Sequence, residues 1–293
     1  MSTIELEAPI QKACVGGRGR FLIASLLGRR EVVVVDLFKR FVSLTIPLGE
    51  DDVELAAGAT QLHVVAPDSG LFQTWDLRTG ERLLETAWPL RGYVKKIAMG
   101  SGNDKQLAAC FANSPHPDEA SQWATIELPS MDIQHLTIAD EPTSKGFQLR
   151  ASTDGSLFVA WAPQSKPQNR GVILIRQSHA QWLNWPESPN YILLNESGSR
   201  LYTEAGVLTL NLIQDQSVGI GTAVACVPSV TGQMFLTRES QDDAGVWKLR
   251  SLDRRLALAT IRIDVGDPDY VAVTTSKLGQ PLILSVEAGY IAT

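Results

Sequence analysis

One pattern recurs along the whole chain and limits what it can fold into: a polar or glycine-bearing turn, then a short apolar strand opening on a large hydrophobe. Gly17-Arg18-Gly19-Arg20-Phe21-Leu22 is the first copy, Gly58-Ala59-Thr60-Gln61-Leu62 the second, Gly102-Asn103-Asp104-Lys105-Gln106-Leu107 the third and Thr153-Asp154-Gly155-Ser156-Leu157 the fourth. Ser197-Gly198-Ser199-Arg200-Leu201, Thr231-Gly232-Gln233-Met234 and Leu278-Gly279-Gln280-Pro281-Leu282 complete the series. The anchors Leu22, Leu62, Leu107, Leu157, Leu201, Met234 and Leu282 are spaced by 40, 45, 50, 44, 33 and 48 residues. A second register runs in step: Val35-Asp36-Leu37, Trp75-Asp76-Leu77, Ile126-Glu127-Leu128, Ile173-Leu174-Ile175, Leu208-Thr209-Leu210 and Trp247-Lys248-Leu249.

A period of about 43 residues, made of short strands, is the mark of a β-propeller. The segments agree: Val32 to Val35 is β-branched, and Leu71 to Leu77 alternates in polarity. No amphipathic pattern sustains a helix of ten residues or more. The expectation is an all-β, seven-bladed β-propeller of four-stranded antiparallel blades, a single domain over residues 1–293. The last repeat offers three strands, Tyr270 to Thr274, Pro281 to Val286 and Gly289 to Thr293. The alternating Thr3-Ile4-Glu5-Leu6-Glu7 is expected to supply its outer strand and close the ring.

The segment Leu71-Phe72-Gln73-Thr74-Trp75-Asp76-Leu77-Arg78-Thr79-Gly80-Glu81 resembles the third strand and following turn of a WD40 blade, and Thr153-Asp154-Gly155-Ser156-Leu157 resembles its first turn. The Gly-His pair that opens a standard WD40 repeat is missing throughout. The chain is therefore similar to a divergent WD40-like propeller, of the kind found in large bacterial proteins that also hold kinase modules. That resemblance implies a non-catalytic scaffold for protein–protein interaction.

Composition narrows the function classes. With 26 Lys+Arg against 32 Asp+Glu, the net charge of -6 argues against non-specific nucleic-acid binding. No apolar run is long enough to span a membrane, and Met1 to Pro9 lacks the pattern of a secretory signal. Three separated cysteines, Cys14, Cys110 and Cys226, fit a reducing compartment. A cytoplasmic protein without a cofactor is expected.

Catalytic signatures are absent: no nucleophile elbow, no zinc-protease helix and no P-loop. Cysteine and histidine show no zinc spacing. His63 is expected to be packed in a strand, and His135 and His179 to lie near outer strands. Acidic groups at Glu50-Asp51-Asp52, Asp140-Glu141, Asp242-Asp243 and Asp264, Asp267 and Asp269 fall in loops. Converging at a channel mouth, they would hold Ca²⁺ and make the alternative, a lactonase-like propeller hydrolase with an axial metal. The leading expectation is a protein or peptide partner bound by two long, adjacent loops. One runs from Asn113 to Gln122, with His116, Asp118 and Glu119. The other runs from Pro163 to Arg170, with Lys166, Asn169 and Arg170.

Overall fold

The computed structural model describes residues 3–116, 119–139, 146–163, 170–185, 189–204, 206–213, 215, 225–229, 234–238, 246–251, 254–262, 270–275, 281–287 and 290–292. Within them the chain forms successive antiparallel sheets, each built mostly from one contiguous stretch. Blade 1 has strands Ile10–Gly16, Phe21–Leu26, Glu31–Asp36 and Phe41–Pro47. Blade 2 has Glu54–Ala57, Gln61–Ala66, Leu71–Asp76 and Arg82–Ala87. Blade 3 has Tyr93–Met99, Gln106–Ala112, Gln122–Glu127 and Asp132–Leu136. Blade 4 has Gln148–Ala151, Phe158–Trp161, Gly171–Arg176 and His179–Asn184. A three-stranded sheet follows, of Leu193–Leu194, Arg200–Thr203 and Gly206–Thr209. Blade 5 has Ala225–Pro228, Met234–Arg238, Val246–Ser251 and Arg254–Arg262. Blade 6 joins Tyr270–Thr275, Pro281–Glu287 and Tyr290–Ala292 to the N-terminal Thr3–Glu5, with Ile4 opposite Ile291.

The expectation of seven four-stranded blades is corrected: among the described residues the propeller has six, and the sheet from Leu193 to Thr209 stops at three strands. Its repeat is the shortest, 33 residues between Leu201 and Met234. After the third strand the chain doubles back at once. Thr209 N–H donates to the Ile213 carbonyl at 2.8 Å, through a turn with Leu212 at φ 60°. Asp215 then reaches back to the Val207 carbonyl and accepts Arg200 Nε at 2.8 Å.

Strand chemistry follows position in the blade. Second strands are covered on both faces and are mostly apolar: Phe21–Leu26 is buried throughout, Ser25 included. Outer strands such as Arg82–Ala87 are mostly exposed. The cores lie between blades. Ile23, Val32 and Val34 of blade 1 pack on Leu55, Leu62, Val64 and Trp75 of blade 2. Phe72 meets Ile97 and Leu107 of blade 3, and Trp123 meets Phe158 and Ile173 of blade 4. Ile4, on the N-terminal strand, packs on Leu22, Val35 and Leu37 of blade 1. Among the described residues no helix is long and apolar enough to cross a membrane.

At one end of the axis the first turns of several blades bond to each other through the backbone, mostly between neighbours and once from blade 1 to blade 3. Gly17 N–H donates to the Gly58 carbonyl, Arg18 N–H to Ser101 and Gly102 N–H to Thr153, each at 2.8 Å; Asp154 N–H donates to Glu196 at 3.0 Å. Side chains reinforce the chain of contacts. Asp104 accepts the Thr60 N–H at 3.1 Å and its hydroxyl at 2.8 Å, and Asn103 Nδ2 donates to the Asp154 carbonyl at 2.8 Å. Such closeness leaves no room for Cβ: one built on Gly100 would sit 2.5 Å from the Ser152 carbonyl oxygen of blade 4.

Gly100→Ala is therefore expected to destabilise the fold by about 2 kcal/mol, the scale of an overpacked contact that must push backbone aside. Gly49→Ala, where nothing lies within 4 Å of the new Cβ, is expected to stay within about 0.5 kcal/mol of wild type. Chemical denaturation of the two variants checks the contrast.

Candidate functional site

The innermost strands wall an axial cavity of about 410 Å³, with contributions from blades 1 to 5 and the three-stranded sheet. Among the described residues its charged ones are Lys12, Glu54, Lys96 and Arg150. The Glu54 side chain, 9% exposed, accepts from two ammonium groups at once. Lys12 Nζ lies 2.8 Å and Lys96 Nζ 3.0 Å from its Oε1. Lys12 also reaches Asp52 at 2.5 Å. Burial works against the Lys12 charge, but Glu54 and Asp52 outweigh it and hold the pKa above its ordinary value. Arg150 is exposed, and its guanidinium donates to the Leu149 carbonyl at 3.3 Å. Cys14 shares the cavity, and burial pushes its thiol up to about 12, despite the opposing Arg150 charge, so it stays protonated at neutral pH.

The loop from Asn113 to Gln122 is tied to blade 3. Lys95 Nζ, on the innermost strand, donates to the Glu119 carbonyl at 2.9 Å. Glu119 N–H closes a turn onto the His116 carbonyl at 3.1 Å, and Gln122 Nε2 donates to Asn113 Oδ1 at 2.8 Å. Asn113 and Ser114 both reach the Glu119 carboxylate at 3.4 Å. The imidazole of His116 is left on the surface. Arg170 is half-buried, and its carbonyl accepts from Trp185 N–H at 3.1 Å. Asp118, Lys166 and Asn169 lie outside the described residues.

The acidic loop Glu50-Asp51-Asp52 does not converge on one point. Glu50 accepts the Ser69 N–H at 3.1 Å, Asp51 pairs with Arg30 at 3.3 Å, and Asp52 with Lys12. The other acidic groups, Asp140-Glu141, Asp242-Asp243 and Asp264, Asp267 and Asp269, lie outside the described residues. Among the described residues no three His, Cys, Asp or Glu side chains cluster to hold a metal ion.

His63 is 1% exposed, stacked on Phe72 at 5.7 Å, with Nδ1 3.1 Å from Thr74 Oγ1. His135 and His179 are exposed on outer strands. Trp75-Asp76 makes a turn, not a site. Asp76 Oδ1 accepts the N–H groups of Arg78 at 2.7 Å and Thr79 at 2.8 Å, and Asp36 does the same for Phe38 and Lys39. Burial would raise the Asp36 pKa, but these amides and Arg20, 2.6 Å away, lower it below the ordinary value.

The axial cations Lys12, Lys96 and Arg150 escape a search for motifs. They belong to three different blades and share no spacing. The available signal is a charge inside each of three short innermost strands, visible once the repeats are stacked.

No protein-family model matches the chain, and no curated protein matches it. Solved structures do. The chain is similar to the β-propeller domain of Cps50 (Swd1) from Myceliophteria thermophila, at 14% identity and a TM-score of 0.61 over 99% of this chain and 97% of that one. It is also similar to hydrazine synthase from Kuenenia stuttgartiensis, at 12% identity and a TM-score of 0.59 over 97% of each chain. These likenesses establish the β-propeller fold.

Burial lowers the His63 pKa to about 4, against the opposing charge of Asp104. The unfolded chain, with an ordinary value near 6.5, therefore binds a proton first. The stability from a neutral His63 is complete above pH 6.5 and is lost as the pH falls toward 4. His63→Phe is expected to flatten this part of the stability–pH curve, by a few kcal/mol in all. Denaturant melts of both proteins from pH 7 to 4 measure it.

Proposed function

We propose that the chain is a non-catalytic interaction scaffold, a divergent WD40-like propeller whose partner is a protein or peptide. The reading treats residues 1–293 as one domain and places the protein in the cytoplasm of a bacterium. The observation that carries it is the bonded loop of blade 3. Lys95 and the Asn113–Glu119–Gln122 contacts hold a polar projection in one shape and leave His116 outward. A prearranged loop on a rigid frame binds with less ordering cost than a free one. The binding residues are His116, Asp118, Glu119, Lys166, Asn169 and Arg170, from two loops that are neighbours in the ring.

The metal-hydrolase alternative gains no support from the axial wall. A lactonase-like site needs several carboxylates facing one ion. Here Glu54 already serves Lys12 and Lys96, and Arg150 adds a further positive charge to the same cavity.

Reversal of charge at Lys166→Glu with Arg170→Glu tests the scaffold. Affinity capture with the wild-type chain is expected to recover a partner that the double variant loses, while the melting temperature stays within about 2 °C. Equal recovery by both proteins would sink this placement of the binding surface.

A further inference from the structure

The axial cavity has a charge balance opposite to that of the protein around it. The chain has a net charge of -6, yet the described wall holds Lys12, Lys96 and Arg150 against Glu54 and the Asp52 that pairs with Lys12, a surplus of one positive charge. A low-dielectric concave wall focuses such an excess and draws in anions. Its volume of about 410 Å³ falls within the usual range of small-molecule sites.

Hydrogen-bonding capacity is left over. An ammonium group has three donors. Lys12 spends two, on Glu54 and Asp52, and Lys96 spends one on Glu54. Both are drawn to the same Glu54 oxygen, so their free donors sit close together. Arg150 stands apart on the innermost strand of blade 4, with a carbonyl as its described partner. Its planar fork matches one carboxylate with two parallel bonds. Two residues further along their strands, Cys14, Ala56 and Ala98 line the same cavity with small side chains.

We propose that this cavity binds a small dicarboxylate, one carboxylate on the Arg150 guanidinium and the other on the Lys12–Lys96 pair. The site is independent of the loops assigned to a protein partner, so either reading can fail alone.

Calorimetric titration with succinate at fixed ionic strength tests the site. Saturable binding of one succinate per chain is expected, weaker by about tenfold or more in Arg150→Gln, and unchanged in Arg82→Gln on an outer strand. Arg150 is exposed, so its replacement should leave the melting temperature near that of wild type. A second readout needs no variant: succinate should slow amide exchange along Gln148–Ala151 in the wild-type protein. No saturation below about 10 mM, equal affinity in the Arg150 and Arg82 variants, or equal binding of inorganic phosphate would each overturn the proposal.

Discussion

Backbone-to-backbone contact between the first turns of the blades sets the geometry on which the rest depends. Sheets packed through apolar faces alone can slide and splay, because dispersion and hydrophobic contact have no direction. The bonds from Gly17 to Gly58, Arg18 to Ser101, Gly102 to Thr153 and Asp154 to Glu196 do have direction. They fix how far the innermost strands of blades 1 to 4 and of the three-stranded sheet stand from the axis. The apolar cores between blades then fill a gap whose width is already set, as Trp123 and Phe147 do edge to face at 5.1 Å. The cavity is the space this spacing leaves.

That frame explains how a charged cluster can exist on an innermost strand. Glu54 is almost fully buried, and a lone carboxylate there would be costly. Two ammonium groups from the blades on either side meet it at 2.8 and 3.0 Å. The contact thus joins blades 1, 2 and 3 near the axis, while the turns join them at the end. Asp52 balances the second ammonium, so the positive surplus facing the cavity comes from Arg150. Binding chemistry there and in the blade 3 loop depends on a frame that holds its parts still.

Much of the fold is legible in the sequence, for a physical reason. Each blade must turn tightly and then enter a buried strand, so Gly58, Gly102, Gly155 and Gly198 recur beside Leu62, Leu107, Leu157 and Leu201. The structure shows what those glycines serve: a Cβ at Gly198 would press on Leu157 at 2.5 Å, and one at Gly155 on Asn103 at 2.5 Å. The blade count was less legible, because the turn-and-strand signal marks the start of a repeat and says nothing of its outer strand. The 33-residue repeat has the signal and yet forms three strands among the described residues. The site was the least legible. Lys12, Glu54, Lys96 and Arg150 come together only when the ring forms, and no local spacing announces them. The loops around His116 and Arg170 stand out by length and polarity, which places them on the surface without naming what they meet.

Residue-resolved hydrogen exchange at the turn amides tests the central claim most directly. If turn-to-turn bonds frame the ring, the N–H groups of Gly17, Arg18, Gly102 and Asp154 should exchange as slowly as those inside the strand Phe21–Leu26. Exchange as fast as that of the exposed hairpin tip at Gly28 would contradict it. The blades would then be held by their apolar faces and their side-chain contacts.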